Sequence, residues 1–388
     1  MSQGFKAFSF NTPGSMHVEW GGAKRLGELA ASWFEERNVL LVTDKFLSES
    51  GLLEETKASM EANGFSISIY DDVVADPPEH VLMECVEFGK ANNANLVIGL
   101  GGGSPMDIAK LVAVMLTSDQ KLSDLYGIGN VKGKRAPLLQ IPTTAGTGSE
   151  VTNITILTTG ETTKMGVVSK QLYADYVLLD AELTIGLPSL PTAATGIDAM
   201  VHAIEAYTSA HLKNPLSDAL GKEALRLLSK NLLTACKDGK NRAAREAMLL
   251  GANLAGQAFS NSPVAAVHAL AYPLGGHYHL PHGLTNALML GPVLRFNMKA
   301  AAPLYAELAE VVLGDVEGEE LSRAEQFVEY MQNLMNESGA PQRLRDVGVT
   351  EESLPTLAKD AMIQTRLLGN NPVQVTESDA LKLYQEAF

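Results

Sequence analysis

At 388 residues with 46% hydrophobic side chains, and with no repeat or low-complexity tract, the chain reads as a folded globular protein of two domains rather than a linker or solenoid. A formal net charge of −15 argues against a nucleic-acid or anionic-membrane surface, which needs clustered Lys and Arg. No stretch reaches the roughly 18 apolar residues of a membrane span, MSQGFKAFSF at the start lacks a leader pattern, and Cys85 and Cys236 lack CxxC spacing, so the expected setting is the cytoplasm.

In chain order, short β-branched runs come first: NVLLVTD at 38–44, SISIYD at 66–71, NLVIGL at 95–100, PLLQIPTT at 137–144 and VLLD at 177–180. Helical spacing of apolar residues lies between them, at 22–34, 51–62, 79–92 and 105–117. This alternation predicts a mostly parallel sheet covered on both faces. The prolines and glycine of LTIGLPSLPT, 183–192, mark a boundary near residue 186. Beyond it only helical periodicity remains, at 196–209, 215–236, 242–260, 263–274, 301–313, 320–337, 351–360 and 377–387. The expected domains are therefore 1–185, α/β, and 186–388, all-helical.

LVIGLGGGSPMDIAK, 96–110, runs from a strand through a glycine turn into a helix. Gly101, Gly102 and Gly103 let backbone N–H groups approach a ligand, and a helix N-terminus adds partial positive charge, so phosphate or pyrophosphate is the natural guest. Ser104 suits the N-cap, Pro105 the first helical position, and Asp107 the returning bond of a capping box. The stretch is neither GxGxxG nor a Walker A loop. PTTAGTGSE, 142–150, follows the next strand and should bring the hydroxyls of Thr143, Thr144 and Thr147 to the same carboxyl edge of the sheet. Asp44, ending NVLLVTD, sits where a carboxylate accepts from ribose hydroxyls and repels a 2′-phosphate, or where it simply caps a helix.

GIDAMVHAIEAYTS, 196–209, places Asp198, His202 and Glu205 within about 60° of one another on an otherwise apolar helix. Six of the eight histidines fall between 202 and 282, four of them in VHALAYPLGGHYHLPHG at 267–283. Asp198 and His202 with two of His268, His277, His279 and His282 would make a four-coordinate N/O site for a divalent transition metal. No HExxH is present to suggest a protease.

Taken together, GGGSPMDIAK, IPTTAGTGSEVT, LPTAATGIDAMVHAIEAY and VHALAYPLGGHYHLPHG resemble the iron-dependent alcohol dehydrogenase family, which includes lactaldehyde and propanediol oxidoreductases, over nearly the whole chain. The resemblance implies a Rossmann-like, dehydroquinate synthase-like α/β dinucleotide-binding domain followed by an all-helical metal-binding domain. It implies that Asp198, His202, His268 and His282 bind one divalent metal, usually Fe²⁺ and in some relatives Zn²⁺, with Glu205 and His279 outside the ligand set. It implies further that Gly101, Gly102 and Ser104 hold a pyrophosphate, with Asp107 grouped beside them, that Thr143, Thr144 and Thr147 line its path, that Lys164 reaches a cofactor ribose, and that Asp44 favours NAD over NADP. Dimers are common in that family, so a homodimer or higher homo-oligomer is expected.

The implied activity is hydride transfer between a metal-polarised primary alcohol or aldehyde and nicotinamide. The nearest alternative is a hydroxy-acid or oxo-acid oxidoreductase or transhydrogenase of the same fold. A lyase of the dehydroquinate synthase type would need a basic substrate pocket, and 196–283 holds few Lys or Arg. One departure stands out: many relatives carry a second histidine four residues after the third metal ligand, where this chain has Tyr272. The proton route then falls to His277 or to the Tyr272 hydroxyl, and Phe259 is a candidate wall of the substrate pocket.

Overall fold

The computed structural model describes residues 7–160 and 163–388. Its strands are β1 (Ser15–Val18), β2 (Asn38–Val42), β3 (Ser66–Tyr70), β4 (Leu96–Gly101), β5 (Gly127–Ile128), β6 (Leu138–Pro142), β7 (Ile154–Thr159), β8 (Thr163–Val168) and β9 (Tyr176–Leu179). The helices of the same part of the chain are α1 (Leu26–Trp33), α2 (Lys45–Glu49), α3 (Glu54–Ala62), α4 (Glu79–Ala91), α5 (Gly103–Met115) and α6 (Leu122–Leu125).

Runs such as VLLV and LVIGL have no polar face, which suits strands with both sides covered. They form a six-stranded sheet in the order β1-β9-β6-β4-β2-β3, parallel throughout, with Val39 opposite Leu96 and Ile98 opposite Leu139. Val39, Leu41, Ile98, Leu139 and Ile141 pack with Leu26, Ala30 and Met60 of α1 and α3. The alternating residues Leu40, Val97 and Leu138 point to the other face and are equally buried.

The sequence pattern did not reveal the antiparallel hairpin of β7 and β8, which with β5 makes a separate three-stranded sheet in the order β5-β8-β7. β7, ITILTT, mixes Ile and Leu with Thr, and β8, TKMGVV, starts with polar residues and contains a glycine, both weaker signals than an unbroken apolar run. The hairpin is tied to α5 by Lys110, whose side chain is fully buried. Lys110 Nζ donates to Ser149 Oγ at 2.8 Å, Thr152 Oγ1 at 3.0 Å and the Ile154 carbonyl at 2.7 Å, and pairs with Asp107 at 3.1 Å. Burial pushes the Lys110 ammonium below its usual value, against the opposing pull of Asp107.

The second half folds as helices only: α7 (Ser189–Thr208), α8 (Pro215–Lys237), α9 (Arg242–Asn261), α10 (Ala266–Tyr278), α11 (His282–Leu313), α12 (Glu320–Ser338), α13 (Leu354–Ala361), α14 (Thr365–Leu368) and α15 (Glu377–Ala387). From Thr192 to Thr208, α7 is buried at every position but Thr195, because α8, α9 and α11 pack around it. Asn214 and Asn241 cap α8 and α9, and Thr376 with Asp379 forms the capping box of α15. The helix expected at 301–313 is only the end of α11, whose 32 residues run through Pro292 and Pro303. Both prolines are tolerated inside the helix, where packing along its length offsets the lost backbone bonds.

Contacts divide the chain into two compact units. One comprises Asn11–Thr144 and Gly148–Gly186; the other is built on Leu187–Phe388 and includes the short segment Ala145–Thr147. Among the described residues no helix is long and apolar enough to cross a membrane.

Replacing Lys110 with Met should leave the Asp107 carboxylate without its buried partner. The expected loss is about 3–5 kcal/mol of stability, read as a lower midpoint in chemical unfolding.

Candidate functional site

Four positions on a helix bring two side chains to nearly the same azimuth, so Asp198 and His202 project from one face of α7. α10 supplies His268, and His282 is the first residue of α11. Gly283 permits that placement: a Cβ there would lie 2.7 Å from the Ala194 carbonyl of α7. Asp198 Oδ1 is 3.8, 4.0 and 3.9 Å from Nε2 of His202, His268 and His282, respectively. One ligand atom from each residue lies within 4.8 Å of all the others. Asp198, His202 and His268 are buried; the His282 side chain is 32% exposed, so the cluster opens to solvent on that side.

Glu205, one turn beyond His202, acts on His268 from outside the cluster. Its Oε2 accepts from the Ala265 N–H at 3.0 Å and meets His268 Nδ1 at 2.7 Å, while Oε1 accepts from the Val267 N–H at 2.7 Å. A single carboxylate therefore caps the start of α10 and takes the Nδ1 proton of the imidazole that α10 carries. The Nε2 lone pair of His268 is left facing Asp198.

Burial by itself would raise the Asp198 carboxyl, but His202, His282 and His268 together with a bond from Asn286 outweigh it and hold the group below its ordinary value. The His202 imidazole goes down to about 3, chiefly through burial, with His268 and His282 adding to the effect and Asp198 opposing it. The ionised Asp198 carboxylate and the neutral His202 imidazole, with Nε2 of His268 and His282 beside them, make a donor set of the kind Fe²⁺ and Zn²⁺ accept. Phe259 lies against this centre, its ring stacked on His202 with centroids 4.3 Å apart and planes at 24°.

The candidates for proton transfer separate. Tyr272 stands one turn along α10 from His268, on nearly the same face, with its ring centroid 6.0 Å from that of His282. His277 is nine residues from His268, about half a revolution out of phase. It is exposed and pairs with Asp360 at 2.6 Å. The expectation that His277 could stand in beside the metal ligands is corrected: the helix expected at 263–274 stops short of it, but α10 extends to Tyr278 and turns it away. His279 closes α10 in the left-handed region, φ 52°, outside the cluster.

Sequence reasoning also missed Asn286, which is fully buried on α11 one turn after His282. Its Nδ2 approaches Asp198 Oδ1 at 2.5 Å and Nε2 of both His268 and His282 at 3.2 Å. The available signal was its four-residue spacing from a candidate ligand.

At the other unit's glycine turn, Gly101 ends β4 with φ 152°, where a Cβ would meet Pro105 at 2.9 Å. Gly102 is the N-cap of α5, and no side chain caps the helix. Ser104 is therefore the second helical residue, not the cap, which corrects the capping-box expectation. Asp107 also turns elsewhere. Its Oδ1 accepts from Lys110 and Ser149, and Oδ2 from the Ile156 N–H at 3.1 Å, so the unforeseen hairpin uses the carboxylate that had been grouped with the cofactor ligands. The first turn of α5 carries no acidic side chain, and its N–H groups remain suited to an anion.

Thr143 donates its N–H to the Gly101 carbonyl at 2.9 Å, and the Thr144 side chain lies 3.9 Å from where a Cβ on Gly102 would stand. Thr147 belongs to the segment that packs with the helical unit. Asp44 Oδ1 accepts from the Leu47 N–H at 3.0 Å and caps α2, at the carboxyl end of the strand neighbouring β4. Lys164 on β8 is held by Asp76 at 2.5 Å.

One carboxylate and three imidazoles could hold a divalent metal, and a strand–glycine–helix turn could hold a phosphate. Residues 13–181 match the family model described as iron-containing alcohol dehydrogenase, and residues 192–388 match that of the Fe-containing alcohol dehydrogenase family, C-terminal. Long-chain-alcohol dehydrogenase 1 of Geobacillus thermodenitrificans is 39% identical over 97% of this chain and 95% of its own. Sulfoacetaldehyde reductase of Bilophila wadsworthia is 36% identical, covering 90% and 91%. A crystal structure of 1,3-propanediol oxidoreductase superposes with a TM-score of 0.95 at 34% identity, covering 99% of this chain and 100% of that one. The chain belongs to the iron-containing alcohol dehydrogenase family and is an oxidoreductase.

Glu205→Gln keeps the volume and removes the charge that fixes His268. It should weaken divalent-metal affinity by about tenfold or more while the fold persists, as measured by competition with a chelator and by circular dichroism.

Proposed function

We propose that the chain interconverts primary alcohols and aldehydes with NAD as hydride carrier, around one divalent cation held by Asp198, His202, His268 and His282. The observation that carries this reading is the convergence of one ionised carboxylate and three imidazoles, with Glu205 setting the tautomer of His268. Fe²⁺ is favoured by the family, and Zn²⁺ suits the same donors. When bound, the cation supplies a Lewis acid for the substrate oxygen, and nicotinamide supplies the hydride acceptor or donor.

The chain's own residues account for the remaining requirements. Gly101, Gly102 and Ser104 leave the uncapped N–H groups of α5 for a pyrophosphate, Thr143, Thr144 and Thr147 supply hydroxyls along it, and Lys164, steadied by Asp76, is assigned to a ribose hydroxyl. Asp44 keeps one oxygen on the Leu47 N–H and presents negative charge that disfavours a 2′-phosphate, hence NAD rather than NADP. Tyr272 Oη is assigned to relay the hydroxyl proton of the substrate, accepting it as the phenol passes its own proton to solvent and reversing the exchange on aldehyde reduction, in the place of His277. Phe259, stacked on His202, forms an apolar wall beside the reacting oxygen.

Relatives named for long-chain alcohols, sulfoacetaldehyde and 1,3-propanediol share the reacting group and differ in everything attached to it. The proposed substrate class is accordingly the primary alcohol and its aldehyde. A cytoplasmic homodimer or higher homo-oligomer is proposed as its working form, in keeping with the family and with two free cysteines.

Two experiments test this reading. The first strips the protein with a chelator, restores Fe²⁺ or Zn²⁺ without oxygen, and follows NADH and NADPH oxidation against short and long aldehydes and oxo acids. Metal-dependent oxidation of NADH in preference to NADPH, with aldehydes, is expected; His268→Ala and Asp198→Ala should keep the fold and lose turnover. Retained turnover in both variants, or preference for oxo acids, overturns the assignment. The second is Tyr272→Phe, which should lower kcat by about a hundredfold and flatten the pH profile while metal content stays unchanged.

A further inference from the structure

Asn286 has no role in the reading above, yet it is fully buried and lies closer to Asp198 than any of the histidines does. α11 places it one turn after His282, on the same face, so the helix that delivers a ligand also delivers this amide. Three contacts converge on Nδ2: Asp198 Oδ1 at 2.5 Å, His268 Nε2 at 3.2 Å and His282 Nε2 at 3.2 Å. The amide oxygen at the other end is buried with no hydrogen-bond partner. Charge fixes this orientation, since turning the amide would set its oxygen against a carboxylate oxygen. An unpaired buried oxygen is costly and uncommon, and it is accepted here in exchange for what the nitrogen does.

We propose that Asn286 is a positioning residue of the metal centre: its amide N–H holds the Asp198 carboxylate in the orientation that presents it to the cation. The inference rests on reading Asp198 and the three histidines as metal ligands. Of the three contacts, the one to Asp198 is compatible with that task. Each imidazole Nε2 has one lone pair, for which an amide and a cation compete, whereas a carboxylate oxygen has a second lone pair and can serve both. The bond also withdraws part of the carboxylate charge, so it sets both the direction of Asp198 and its strength as a donor.

The test uses the full-length protein with Co²⁺ as the probe, because its visible absorption reports ligand geometry. Affinity is measured by chelator competition for the wild type, Asp198→Ala, Asn286→Leu and Asn286→Ala, with thermal unfolding in excess chelator as the check on folding. Asn286→Leu keeps the volume and removes the donor. Both Asn286 variants should bind Co²⁺ about ten- to a hundredfold more weakly, with a displaced absorption band. Affinity within about twofold of wild type and an unchanged band in either folded variant overturn the proposal. Should neither variant fold, Asn286→Gln, polar and uncharged, moves the donor by one methylene in their place; a displaced band supports the proposal and an unchanged one overturns it. Asp198→Ala separates this inference from the reading beneath it. If Asp198→Ala binds Co²⁺ like the wild type, the metal site itself is wrong; if it loses Co²⁺ while the Asn286 variants do not, only the role of Asn286 falls.

Discussion

A carboxylate placed in the middle of a helical core costs several kcal/mol unless other charges and donors meet it. Asp198 is in that position, on a helix buried along almost its whole length. The surrounding helices are arranged to answer it. Three imidazoles converge on one of its oxygens from α7, α10 and α11, and the first turn of α11 comes near enough only because Gly283 has no side chain. Glu205, a second buried carboxylate, meets its own requirement differently, through two backbone N–H groups and an imidazole N–H. Stability and chemistry are therefore not separable here. Asn286 is the donor that meets Asp198 directly, while the three imidazoles stand 3.8–4.0 Å away with ring nitrogens that suit a divalent cation.

The α/β unit solves a related problem with the opposite charge. Lys110 is a buried ammonium under the helix whose N-terminus faces the glycine turn, and every donor it carries is used, on Asp107, Ser149, Thr152 and the Ile154 carbonyl. The result is a rigid floor. α5 cannot shift on the sheet without breaking these bonds, so the uncapped N–H groups at its start keep a fixed direction. That floor is assembled from the β7–β8 hairpin and the turn before it, parts of the chain far from the glycines in sequence.

How much of this was legible follows from the kind of signal each part leaves. Strands buried on both faces leave largely apolar runs, so β2, β4, β6 and β9 could be read directly, whereas the mixed polar and apolar residues of β7 and β8 were lost among loops. Asp198 and His202 announced themselves through four-residue spacing on an apolar helix. Choosing among His268, His277, His279 and His282 was beyond spacing alone, because the choice depends on where α10 ends, and it continues past two glycines that looked like a stop. Asp107 was misread for a related reason: its spacing from Ser104 fits a local capping box, but a distant strand competes for the same carboxylate and wins. Asn286 left only a positional hint, its four-residue spacing from His282, since an asparagine on a helix gives no sign of what its amide meets.

The double duty of Glu205 has a kinetic side. The N–H of Val267 and the imidazole of His268 share one carboxylate, so the first turn of α10 cannot open without releasing the ring that the helix carries. Local fraying at that helix end and loss of ligand orientation become a single event. Hydrogen exchange at the Val267 amide, which donates to Glu205, then reports how often the centre comes apart.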